Sequence, residues 1–315
     1  MSILSEPHFH NEAAAYARLE SIVWPDGAFC PRCGGFDRIT PVKGGRIGLR
    51  RCGPCKREFT VKVGTVFEDS KIKLHLWFQA AHLMASSKKG ISAHQLHRTL
   101  KVTYKTAWFM EHRLREAMRD GHFPPMGGEG KTVEIDETFV GGLEKNKHRS
   151  KRKHIGTGGA GKEAVFSLVE RGGKVRSHHV PQVTAKTLRP ILQAQVDGKT
   201  AVMTDEGLVA KTIGRDFEKH ETVNHSLGEY VRGGAHTNTI EGYFSILKRG
   251  INGTFHHVSQ QHLKRYLAEF DFRYNNRIAL GVDDASRTEV ALRGIVGKRL
   301  MYKDSSKASI YARDN

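Results

Sequence analysis

Val133-Glu-Ile-Asp-Glu-Thr-Phe-Val140 is the stretch whose reading decides the fold. Its β-branched and aromatic residues predict a strand, and Gly141-Gly142 closes it. Three acids nevertheless sit inside it: Glu134, Asp136 and Glu137. A carboxylate on an apolar strand costs free energy unless it is paired or bound to a metal. Alternation sends strand neighbours to opposite faces, so only one of Asp136 and Glu137 is expected to point inward. Glu134 shares a face with Asp136 and stays open as a rival. A second apolar strand, Lys199–Thr204, runs into Asp205, and only one of Asp205 and its neighbour Glu206 is expected to point inward.

Working outward, Ala164–Glu170 and Lys174–Val180 flank Gly172-Gly173 and predict a hairpin. Thr184–Val196 reads as a helix that has to accommodate Pro190. Thr237 to Gly250 is helical, with Ile240, Phe244, Leu247 and Ile251 forming an apolar stripe and Asn238, Glu241, Ser245 and Lys248 on the other side. Asn238-x-x-Glu241 also matches a capping box, which needs no catalysis. Gln260 to Asn275 is helical again. Strand, hairpin, helix, strand, then helices is an order that suits a ribonuclease-H-like α/β core. Asp136, Asp205 and Glu241 then stand on separate rigid elements, with 35 residues between the last two. Carboxylates converging in this way suit phosphoryl chemistry assisted by Mg²⁺ or Mn²⁺.

The Gly- and Pro-rich segment from His122 to Lys131 marks a boundary. Upstream of it, Asn11 caps a predicted helix reaching Trp24. Cys30-Pro-Arg-Cys33 and Cys52-Gly-Pro-Cys55 then supply all four cysteines, at C-x2-C spacing across 18 residues. Two such turns make a closed tetrahedral thiolate set for structural zinc. From Lys71 to Met118 the pattern is helical. Ser92 and Thr103 cap two helices joined by a short turn, which resemble a helix-turn-helix. On the second of these, Lys105, Arg113 and Arg115 are candidate DNA contacts.

Lys plus Arg outnumber Asp plus Glu by 51 to 33, a net charge of +18. An excess of that size points to a polyanionic partner, nucleic acid first. The cations concentrate in a basic loop holding Lys145, Lys147, Arg149, Lys151, Arg152 and Lys153, expected to contact phosphates. Lys248 and Arg249 extend that set. No apolar run of about 18 residues exists to span a membrane, and the polar start from Met1 to Asn11 gives no signal peptide, so a cytoplasmic, nucleoid-associated protein is expected.

Several longer words are similar to those of the DDE transposases of bacterial insertion sequences, in the zinc-ribbon-bearing ISXO-type branch. They are Trp24-Pro-Asp-Gly27 with Cys30-Pro-Arg-Cys33, Ile135-Asp-Glu-Thr-Phe-Val-Gly-Gly142, Thr204-Asp-Glu206, His236-Thr-Asn-Thr-Ile-Glu-Gly242, Phe244-Ser-Ile-Leu-Lys-Arg-Gly250 and His256-His-Val-Ser259. The resemblance spans about residues 10 to 280. It implies metal-dependent cleavage and transfer of DNA strands by Asp136, Asp205 and Glu241, with Asn238 assisting or replacing the third acid. It also implies DNA ends and a target as partners, and a homodimer or higher oligomer on the DNA. The expected order is an N-terminal helix (1–29), the zinc ribbon (30–62), the DNA-binding helices (71–120), the ribonuclease-H-like catalytic domain (130–280) and a tail (281–315). Two rival readings are a DNA-binding regulator whose C-terminal fold is inert, and a nuclease acting on RNA or hybrids.

Overall fold

The computed structural model describes residues 2–119, 121, 124–142, 146, 148–152, 159, 161–224, 227–229 and 231–301. The chain forms two compact units. One holds residues up to Arg119 together with those from Gly281 onward; the other runs from 120 to 280.

In the first unit, α1 (Glu12–Val23) starts where the Asn11 side chain accepts from the Ala14 N–H at 3.0 Å. Three short strands, β1 (Ile39–Pro41), β2 (Arg50–Cys52) and β3 (Glu58–Phe59), pair antiparallel in that order. Three helices follow: α2 (Leu74–Ser86), α3 (Ala93–Leu100) and α4 (Tyr104–Met118). Ser92 and Thr103 cap the last two as the sequence predicts. Lys101 turns the chain between them in the left-handed region, at φ 54°. The start of α2 has no cap of its own. The Glu12 carboxylate of α1 instead accepts from the Leu74 and His75 N–H groups, at 2.8 and 3.2 Å. The segment expected to be a tail contains α9 (Asp284–Arg293), whose Ala291 and Leu292 are buried as it packs against α1, α2 and α4.

The second unit is built on a five-stranded sheet. Its strands are β4 (Thr132–Val140), β5 (Glu163–Glu170), β6 (Val175–Val180), β7 (Ala201–Thr204) and β8 (Lys219–Thr222). Their order across the sheet is β6-β5-β4-β7-β8. The first three run antiparallel, whereas β7 and β8 run parallel to β4. The hairpin between β5 and β6 turns at Gly172, where φ is +70°.

Alternation along β4 and β5 supplies two apolar faces. Val140, Val165 and Val169 pack beneath α7 (Asn238–Gly250) and α8 (Gln260–Asn275). Val133, Ile135, Phe166 and Leu168 pack beneath α5 (Ala185–Gln195) and α6 (Leu208–Gly214). The predicted stripe of Ile240, Phe244, Leu247 and Ile251 is buried. Helix α5 runs through Pro190, which is exposed, so water can satisfy the carbonyl that the missing N–H strands. Among the described residues, no helix is long and apolar enough to cross a membrane.

Candidate active site

Strand register brings the first two acids together. Glu134 on β4 pairs with Met203 on parallel β7, the last pair between these strands. Asp136 and Asp205 each lie two residues beyond it, at the same level on neighbouring strands. Asp136 Oδ1 accepts from the Glu137 N–H at 2.7 Å. Asp205 Oδ1 accepts from the Gly207 N–H at 2.9 Å, in a turn where a side chain at 207 would crowd that oxygen.

Helix α7 brings the third acid. An open pocket of about 420 Å³ is lined by Asp136, Glu137 and Thr138 of β4, and by Glu241, Phe244, Ser245, Lys248 and Arg249 of α7. The helical positions lie one and two turns beyond Glu241 on one face, so acid stands at one end and cations at the other. Burial, then the charges of Asp205, Glu137 and Glu241, push the Asp136 carboxyl up to about 8. Burial and Asp205 likewise raise Glu137. A cluster that holds on to a proton in this way suits a hard cation. Asp136, Glu137 and Glu241 line this pocket and Asp205 acts on Asp136 by its charge, so the site gathers carboxylate oxygens, the ligand type that hard cations take.

Two readings from the sequence change here. Alternation was expected to send only one of Asp136 and Glu137 inward, yet both line the pocket. Beyond Glu134 the β7 side of β4 is unpaired, so the strand edge is open and neighbours from both faces can reach the same space. The capping-box reading of Asn238 and Glu241 does not hold either. Helix α7 begins at Asn238, and its N-cap residue Thr237 makes no side-chain capping bond. The Thr239 and Ile240 N–H groups are bound instead by Glu134, at 2.8 and 2.9 Å. Glu134, fully buried in that use, does not line the pocket that Asp136 lines.

Expected DNA contacts on the helical pair divide. Lys105 is exposed on the first turn of α4, beside the stacked rings of His94 and Tyr104. Arg113 and Arg115 are buried, which corrects their assignment. Arg113 donates to the carbonyls of Val66 and Glu68, and Arg115 pairs with Glu111 one turn earlier. After its first turn α4 is largely enclosed, so its basic residues were read as a surface they do not form. Arg149 and Arg152 are exposed, as are Lys248 and Arg249. Lys145, Lys147 and Lys153 lie outside the described residues, and Lys151 is described in its backbone only.

The four cysteines form one cluster. All four sulfurs lie within 4.8 Å of one another, with Cys30–Cys55 at 3.7 Å and Cys33–Cys52 at 3.6 Å. A tetrahedral site with Zn–S bonds of about 2.3 Å requires sulfurs roughly 3.8 Å apart, so the set fits zinc.

Comparison with known proteins agrees on both halves. A family model described as an ISXO2-like transposase domain matches residues 127–275, and one described as a transposase zinc-ribbon domain matches residues 10–58. The chain is 31% identical over 277 residues to an uncharacterized protein in transposable element ISH50 of Halobacterium salinarum, covering 84% of this chain and 91% of that one. It is 28% identical over 103 residues to an uncharacterized transposase-like protein of Haemophilus influenzae, covering 33% of this chain and 82% of the other.

Proposed function

The chain belongs to the ISXO2-like transposase family, and from that premise we propose that it cuts and rejoins DNA at the pocket between β4 and α7. The observation that carries the reading is the pocket itself. Asp136 and Glu241 line it, Asp205 presses electrostatically on Asp136, and Lys248 and Arg249 complete the same wall. The sheet order and the parallel β4–β7 pair support a ribonuclease-H-like core.

Asp136, Asp205 and Glu241 would hold Mg²⁺ or Mn²⁺, which when bound lowers the pKa of water and offsets charge on the phosphate. The chain's own groups align the DNA. Lys248 is seven residues beyond Glu241, so its charge sits about 10 Å along α7, suited to a backbone phosphate beside the one that reacts. In the first displacement a water oxygen attacks phosphorus, its proton passes to solvent, and the bond to the 3′ oxygen breaks, leaving a 3′-hydroxyl on the element. In the second, that hydroxyl oxygen attacks a target phosphorus and the target's 3′ oxygen leaves. Each step exchanges one P–O bond for another, with no covalent enzyme intermediate.

The helical pair α3–α4 is the candidate helix-turn-helix, with Lys105 at its exposed end. The zinc-bound ribbon steadies the front of this unit. A homodimer or larger assembly on element ends, in the cytoplasm at the nucleoid, completes the proposal. The test is cleavage of end-labelled DNA carrying the sequences that flank the gene, with Mg²⁺, against Asp205→Asn. The wild type should cut and the variant should bind equally but not cut. Cleavage by Asp205→Asn at the wild-type rate would end the assignment.

A further inference from the structure

The carboxylate of Glu134 accepts four hydrogen bonds and does not line the pocket. One oxygen accepts from the N–H groups of Thr239 and Ile240, at 2.8 and 2.9 Å. The other accepts from the Thr239 hydroxyl at 2.8 Å and from Arg171 Nε at 2.7 Å. His236 Nδ1 stands 3.1 Å from that same oxygen. Arg171 then donates to the carbonyls of Gly234 and His236, at 2.8 Å each. The chain leading into α7 and its first turn are thus both tied to one side chain of β4.

Glu134 lies two residues before Asp136, on the same face and about 7 Å along the strand. Glu241 follows Ile240 directly, so its backbone is set by the turn that Glu134 grips. A carboxylate at a helix N-terminus binds unsatisfied N–H groups and the positive end of the dipole together. A fully buried one has no water to take their place. We propose that Glu134, with Arg171, is the positioning residue of the active site, fixing the distance between the acids on β4 and Glu241 on α7. This rests on the reading of Asp136 and Glu241 as ligands of one metal centre. Groups that orient metal ligands in this way change affinity or activity by about 10- to 100-fold when removed.

The test uses the full-length, zinc-loaded protein with Fe²⁺, ascorbate and peroxide, where hydroxyl radicals made at a bound Fe²⁺ cut the backbone beside its ligands. The wild type should be cut near Asp136 and near Glu241. In Glu134→Ala the cut near Glu241 should fall at least tenfold relative to the cut near Asp136. Its kcat should drop by a similar factor, while KM for DNA stays within threefold. Thr239→Val removes one hydroxyl donor and keeps the carboxylate, so it guards against a misfolded Ala variant; its cut ratio should fall two- to fivefold. Unchanged cut ratios in both variants would overturn the positioning role while leaving the metal centre standing. A wild type cut only near Asp136 would instead overturn the assignment of Glu241, and this inference with it.

Discussion

Replacing Asp136 by Asn should stabilise the metal-free protein while ending its chemistry, and the magnitude follows from the charge gathered around one carboxyl. Burial, then Asp205, Glu137 and Glu241, move Asp136 from an ordinary 3.8 to about 8. The folded chain therefore holds this proton more tightly than the unfolded chain. Stability is undiminished below the unfolded value and falls as pH rises, until the group is ionised in both states above the folded one. The slope is about 1.4 kcal/mol per pH unit. Between pH 6.5 and 8 the wild type should thus lose about 2 kcal/mol that the Asn variant keeps, or about 1 where water in the open pocket screens the cluster. Asp271, pushed up to about 6 by burial, and His178, pushed down to about 4 by burial, are common to both proteins and cancel in the difference. The Asn oxygen can still accept from the Glu137 N–H, so the strand has no reason to shift. Trp24, Trp77 and Trp108 all lie in the other unit, so fluorescence is blind to this sheet. Amide exchange along β5 in chelator, corrected for intrinsic rates, reads it directly. Millimolar Mg²⁺ or Mn²⁺ should then stabilise the wild type and leave the variant unmoved. Parallel pH dependences for the two proteins from 6.5 to 8 would refute the reasoning, because the charge cluster would then not exist in solution.

Arg113→Ala should unfold the first unit more readily, by about 2–4 kcal/mol, without changing the salt dependence of DNA binding, since the lost bonds are to buried carbonyls. Lys105→Ala should do the reverse, reducing the slope of log K against log salt by about 0.9 with stability unchanged; gel-shift titrations and thermal melts separate the two. Tyr243→Phe removes a 2.5 Å hydrogen bond from the buried Tyr243 to Asp271, and β6 amide exchange should reveal a loss of about 1–3 kcal/mol. Metal analysis should find zinc in the wild type and not in Cys52→Ser, with the ribbon of the variant becoming protease-sensitive between Cys30 and Phe59.

Local signals were legible where their cause is local. The caps at Asn11, Ser92 and Thr103, the C-x2-C pairs and the stripe on α7 all depend on residues within a turn or two of one another, and each forms as read. The convergence of Asp136 and Asp205 was half legible. Strand endings placed both acids, but their shared level depends on a parallel register that no window of sequence contains. Arg113 and Arg115 misled because basic residues on a helix read as surface. The carbonyls and the Glu111 carboxylate that allow their burial lie partly on a distant loop.

Two of the helices without side-chain caps of their own carry a more general signal. Helix α2 begins after Lys73, which makes no capping bond, and its first N–H groups are taken by Glu12 from α1, 62 residues away. Helix α7 begins after Thr237, which makes none either, and its first N–H groups are taken by Glu134, more than 100 residues away. A helix start lacking a local acceptor must find a distant one or pay the desolvation of its N–H groups. An acid buried on an apolar strand with no local cation is the complementary debt. Glu134 and α7 discharge each other, so the pair was present in the sequence as two separate deficits. Asp136 shows the same deficit, its carboxyl raised by burial and then by neighbouring acids, with the Glu137 N–H as the donor that opposes them. That contrast separates two acids on one face of one strand: Glu134 is satisfied by the fold, and Asp136 is the one we propose a cation from outside it satisfies.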